Sequence, residues 1–207
     1  MASQDRAGTA GGLSAAIRHR LRRRVKLVFT MRPDPSASQV GPQGFHLEPG
    51  TVENLGRLRR EHPEEISERK HQILLERVAN PDEDVWIVAD ESGVQCGFAG
   101  VAWRDHLMRK EGFTIRVRPH QVLLIDDYIL KGQRRRGAHA ASILRRLEVA
   151  ADRGRSQVRV VIDRRNTASL ESFARLGATR VGRIVTFRQW NRSIQLTRPS
   201  LGRRRGQ

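Results

Sequence analysis

Residues 122–154 constrain the fold most strongly. Val122 to Leu130 is an apolar, β-branched run of strand length, and Lys131-Gly132-Gln133-Arg134-Arg135-Arg136-Gly137 interrupts it. Ala140 to Arg153 then resumes with helical spacing, with Ile143, Leu144, Leu147 and Ala151 on one side and Gly154 closing the helix. A strand that turns straight into an amphipathic helix must lay that helix on a sheet. The helix start leaves several backbone N–H groups unpaired. Small residues allow close approach to them and arginines add charge, so the unit reads as an anion-binding strand–turn–helix.

The rest of the chain supplies more of the same sheet. Val25 to Thr30 is a strand, and residues 33–44 hold Pro33, Pro35, Gly41, Pro42 and Gly44, a loop composition. Helices are predicted over 51–61, with Thr51 as N-cap, and 63–79, beginning at Pro63. Val85 to Ala89 and Gln95 to Trp103 form a hairpin about Glu91-Ser92-Gly93. Residues 104–121 read as charged and irregular apart from a short strand at Phe113 to Val117. They form either part of an acceptor pocket or a plain surface excursion. Val158 to Ile162 is a strand, Thr167 to Leu176 a helix and Arg183 to Trp190 a last strand. The expectation is one mixed α/β domain over 25–195, a basic flexible arm at 1–24 and a basic flexible tail at 196–207. Within the arm, residues 13–26 have the spacing of a basic helix, with a solvated tail as the alternative.

In this setting the chain resembles the GNAT acetyltransferases. Their loop, Q/R-x-x-G-x-G/A before a helix, matches here with Arg135 first, Ala138 at the inner glycine and Ala140 last; a rival register starts at Arg134 and uses Gly137. Asn166 to Ala178 (NTASLESFARLGA) resembles the family's N-x-x-A-x-x-x-Y-E-K-x-G-F, and CGFAGVAW resembles its usual third strand. The resemblance covers roughly 45–190, with its detailed part at 122–178. It implies the acyl-CoA N-acyltransferase (GNAT) fold: an α/β (α+β) domain whose mixed central sheet, flanked by helices, is splayed between its fourth and fifth strands, 122–130 and 158–162. It further implies acetyl-CoA (CoA) as cofactor. The pantetheine arm would pair with backbone near Ile129 and Leu130, and an N–H near Leu130 would polarise the thioester. Arg135, Arg136, Gly137, Ala138, His139 and Ala140 would hold the pyrophosphate, with Asn166 and Phe173 also at the cofactor.

The reaction implied is N-acetylation of a primary amine by direct attack. An amine nucleophile must lose a proton. Asp126 and Asp127 lie on the thioester strand, and alternation points them to opposite faces, so at most one reaches the acceptor. Asp126 matches the family's acidic position and is the expected base; pairing with arginine is the bland reading. The family's tyrosine proton donor is replaced by Phe173, and Tyr128, on the face of Asp126, either substitutes or packs. His139 either touches phosphate or caps the helix. His62, His71 and His106 lack metal-ligand spacing, and no metal is expected.

Composition narrows the partners. The 207 residues carry a formal net charge of +17, which favours a phosphate-bearing ligand, RNA or an anionic surface, the last two through the basic termini; biased base composition explains it equally. The alternative function is accordingly a basic RNA- or membrane-associated module of the same fold without catalysis. The acceptor class is an amine-bearing small molecule or a protein amine, and a homodimer is compatible. Cys96 stands alone, which excludes an internal disulfide. With no apolar span, a cytoplasmic location is expected. The run ATRVGRIVTFR is loosely similar to bacterial acetyltransferases of cell-surface polysaccharide synthesis.

Overall fold

The computed structural model describes residues 23–109, 111–189 and 192–199. Most of the predicted arm and of the predicted basic helix lies outside the described residues, as does the tail beyond Pro199. Ten strands and four α-helices follow in order: β1 (Arg23–Met31), β2 (Phe45–Pro49), α1 (Val52–Glu61), α2 (Glu68–Val78), β3 (Glu83–Asp90), β4 (Gln95–Ala102), β5 (His106–Met108), β6 (Phe113–Ile115), β7 (Gln121–Ile129), α3 (Ala138–Asp152), β8 (Gln157–Asp163), α4 (Thr167–Arg175), β9 (Thr179–Gln189) and β10 (Arg192–Pro199).

Eight strands form one sheet in the order β10-β9-β1-β8-β7-β4-β3-β2, and β5 pairs with β6 as a separate hairpin. Every neighbouring pair is antiparallel except β7 and β8, which are parallel. Counted from the β2 edge these are the fourth and fifth strands, as expected.

Alternation along the strands divides the core between two faces. On one face, Val101, Trp103, Val122, Leu124, Val158, Val160 and Ile162 pack against Ile143, Leu144 and Leu147 of α3 and Phe173 of α4. On the other, Val85, Ile87 and Phe98 meet Leu55 and Leu58 of α1 and Leu74 of α2. Beside them Ala102, Leu123 and Ile125 meet Phe113 and Ile115 of the β5–β6 hairpin.

Several expectations need correction. The chain is strand, not helix, from Arg23 to Lys26. A further strand, β10, was missed; it pairs back on β9 as far as Pro199 opposite Gly182, beyond the residue 195 expected as the domain's end. β2 was missed as a strand, as was β5. The second helix starts at Glu68 rather than Pro63, because the Ser67 side chain accepts the Lys70 N–H at 3.3 Å and caps it. Ala150, not Ala151, is the buried residue near the end of α3, and Arg146 is fully buried beside it.

Candidate active site

The β7–β8 ladder runs only from Gln121↔Gln157 to Leu124↔Val160, although β7 continues to Ile129 and β8 to Asp163. The strands part beyond that point. The cleft between them, about 600 Å³, is walled by residues from both faces of the sheet. Lys70, Ile73, Arg77, His106, Met108 and Ile115 line it on the α2 and hairpin side, and Asn166, Ser169 and Phe173 on the α4 side.

A β-bulge sits where the strands part. Phe98 faces Tyr128 and Gly100 faces Ile125, so Asp126 and Asp127 together oppose Ala99 alone. Asp126 takes the left-handed backbone, φ 49°, that absorbs the extra residue. The two aspartates point to opposite faces, as expected, and both line the cleft. Asp126 lies toward α2, with Lys70 Nζ at 3.0 Å and Arg77 at 2.9 Å. Asp127 lies toward α3, ion-paired with the buried Arg146 and 3.5 Å from His139 Nε2. Burial acts to raise the Asp127 pKa, but the Arg146 and His139 charges outweigh it and hold the carboxyl at about 2. Arg146 also donates to the carbonyls of Ser142 and Gly100, so its buried charge is fully engaged.

Beyond the bulge, Leu130 donates its N–H to the Cys96 carbonyl at 2.9 Å. Leu130 therefore has no N–H left for a thioester. Ile129 lies between the two bonded positions, opposite Gly97, so its own N–H and C=O point away from β4 toward the parted strand. Arg134 Nε donates to that Ile129 carbonyl at 3.0 Å. A side chain at Gly97 would meet the Tyr128 carbonyl at 2.1 Å, which explains the glycine there.

The loop reaches α3 through left-handed Arg135 (φ 64°) and Gly137 (φ 97°), the N-cap. No side chain caps this helix, so the first-turn amides of Ala138, His139 and Ala140 face outward without a helical partner. Gly137 is required both by its φ and by Pro42, whose Cβ would lie 2.7 Å from an added Cβ. Of the three arginines, Arg134 is tied to Ile129, and Arg136 to Asp90 at 3.1 Å and to Gln133. Arg135 has no ion-pair partner among the described residues and is exposed.

The remaining predicted residues have other partners. Asn166 caps α4, its side chain accepting the Ser169 N–H, and borders the cleft. Phe173 is buried, and the His139 ring meets it edge-on at 5.9 Å. His139 turns inward to Ser172 Oγ at 3.0 Å rather than outward to the loop. Tyr128 stacks on Phe98 and donates its hydroxyl to Glu65 at 2.7 Å, and it does not line the cleft. Burial and then the Glu65 bond raise its pKa, so it is a poor proton donor. Cys96 is buried, and burial pushes its thiol up.

Glu65 and His106 were missed by sequence reasoning. Glu65 also accepts the Lys131 N–H, anchoring the start of the loop from the α1–α2 connection. Burial acts to raise its carboxyl, and the Tyr128 and Lys131 bonds hold it below the usual range. His106 belongs to the hairpin insertion and was legible only as a histidine without metal spacing.

No family model and no curated protein matches the chain. Solved structures do share its architecture. A conserved protein of unknown function from Staphylococcus epidermidis superposes with TM-score 0.56 at 10% identity, over 86% of this chain and 67% of that one. A GCN5-related N-acetyltransferase from Sphaerobacter thermophilus gives 0.53 at 17% identity, over 92% of this chain and 58% of that one. The GCN5-related glucosamine N-acetyltransferase region of a fungal multi-domain GH3 β-N-acetylglucosaminidase gives 0.54 at 13%, over 94% and 23%. This chain thus spans 58% and 23% of the last two, and at these identities the likeness is one of fold. With its single parallel pair parting at a bulge beside an uncapped helix, the chain has the fold of the GCN5-related N-acetyltransferases.

Proposed function

We propose that the protein is an N-acetyltransferase that uses acetyl-CoA to acetylate a primary amine. The observation that carries this reading is the ending of the β7–β8 ladder at Leu124 while both strands continue, which leaves a cleft between them. The residues present suit the cofactor. Outward amides of Ala138, His139 and Ala140, with Arg135 beside them, suit a diphosphate. The Ile129 C=O suits an amide N–H of the cofactor's arm, and Asn166 borders the cleft where the strands have parted. When bound, acetyl-CoA supplies an acyl group already activated as a thioester.

The protein's own part is placement and electrostatics. The Ile129 N–H is the donor set to stabilise negative charge developing on an acyl oxygen. Arg134 must release the Ile129 carbonyl when that edge is occupied. Phe173 seals the wall against water and has no proton to give. A thiol pKa of about 8.5 lets sulfur leave as thiolate without a dedicated acid.

The test follows free CoA thiol across a panel of primary amines. Cys96 is buried, so the enzyme adds little background. Amine-dependent release is expected, together with stabilisation by CoA well above that from polyphosphate of equal charge. CoA binding with no release for any amine would leave a binding module, and no CoA binding at all would remove the whole reading.

A further inference from the structure

The attacking amine must give up a proton, and three of the four carboxylates that line the cleft are ion-paired. Asp126 lies between Lys70 and Arg77. Asp127 is held by Arg146, Glu111 by Lys26 at 3.1 Å, and Asp163 accepts the Arg165 N–H.

We propose that His106, fixed by Glu83, accepts the proton of the acceptor amine. This rests on the transferase reading above. His106 lines the cleft on the α2 side and is only 5% exposed. Its Nδ1 lies 3.0 Å from Glu83 Oε1. A carboxylate cannot donate, so the bond requires Nδ1–H; in the neutral imidazole the lone pair then lies on Nε2, the ring nitrogen not bonded to Glu83. The other Glu83 oxygen lies 3.6 Å from Arg77 Nε, an ion pair without a hydrogen bond. Arg77 in turn holds Asp126, so base, carboxylate and bulge form one connected set. Met108 and Ile115 of the same hairpin stand beside Lys26, Lys70, Arg77 and Arg109 in this half of the cleft, and these cations disfavour the ammonium form of a bound amine.

The step balances as follows for a neutral amine. Its nitrogen bonds to the acyl carbon, the carbon–sulfur bond breaks with both electrons on sulfur, and the N–H proton moves to His106 Nε2. The imidazolium then returns that proton to the thiolate or to solvent. An amine arriving as ammonium releases one further proton to water beforehand.

Two measurements test this in the full chain. The first needs no turnover: imidazole-¹⁵N NMR, with the His106 signal assigned by its loss in His106→Gln. An Nδ1–H tautomer that is lost in Glu83→Leu, which has no acceptor, is expected, and an Nε2–H tautomer in the wild type would overturn the proposal. The second is kinetic. His106→Ala should lower kcat/KM for the amine by about 10²–10⁴-fold, leave CoA affinity unchanged by calorimetry, and recover partly with added imidazole. If the wild type turns over amines and His106→Ala matches it, the assignment of His106 falls alone. If the wild type binds CoA yet acetylates nothing, the transferase reading falls and takes this assignment with it.

Discussion

Replacing Asp127 by asparagine should cost about 3–5 kcal/mol in urea unfolding, because Arg146 would keep its buried charge without a counter-ion. The same pair sets an acid limit. Folding lowers the Asp127 pKa to about 2, below an unfolded value of about 3.9. Its contribution is therefore complete above that unfolded value and is lost as pH falls from about 4 toward 2. Unfolding midpoints measured down this range should drop more steeply in the wild type than in Asp127→Asn. Gly137 presents a different vulnerability. Its φ of 97° and the nearby Pro42 make Gly137→Ala cost about 1–3 kcal/mol, and tilting the first turn of α3 should weaken CoA binding by calorimetry. Neither cost is visible in the sequence, where Asp127 and Asp126 are neighbours and Gly137 is one small residue among several. The bulge decides which aspartate meets which helix, and a bulge depends on the partner strand.

At the scale of elements, the parting of β7 and β8 predicts where CoA leaves its mark. Hydrogen exchange should slow at residues 125–129 and 136–140 when CoA binds, and should be unchanged along β2 and β3. An even slowing across the sheet would mean that CoA merely stabilises the whole domain. The elements at this site were legible because each carries its own signal: β7 and β8 are apolar runs, and α3 and α4 have helical stripes with small or capping residues before them. Of the missed strands, β2 and β5 lack such signals, and β10 (RSIQLTRP) carries its few apolar residues among charged and polar ones. β2 (FHLEP) is a five-residue edge strand with a proline and partly exposed side chains, and β5 is three residues long. Both exist because a neighbour supplies the ladder, which no local pattern reveals. His106 shares that history: β5 pairing with β6 places it at the cleft, and only the fold brings Glu83 to meet it.

For the molecule as a whole, a formal net charge of +17 should raise the rate at which polyanions arrive. CoA association is expected to slow with added salt, while its dissociation changes little, in stopped-flow measurements. The described residues include no helix long and apolar enough to cross a membrane. One property of the cleft bears on how the two reactants share it. Its walls come from both sides of the sheet, α4 on one and α2 with the hairpin on the other. On the transferase reading, a cleft walled from both sides gives donor and acceptor different walls to lie against, and neither must vacate before the other arrives. Initial-velocity plots should then give intersecting lines, the mark of a ternary complex, and spent carrier and acylated product should be free to depart in either order.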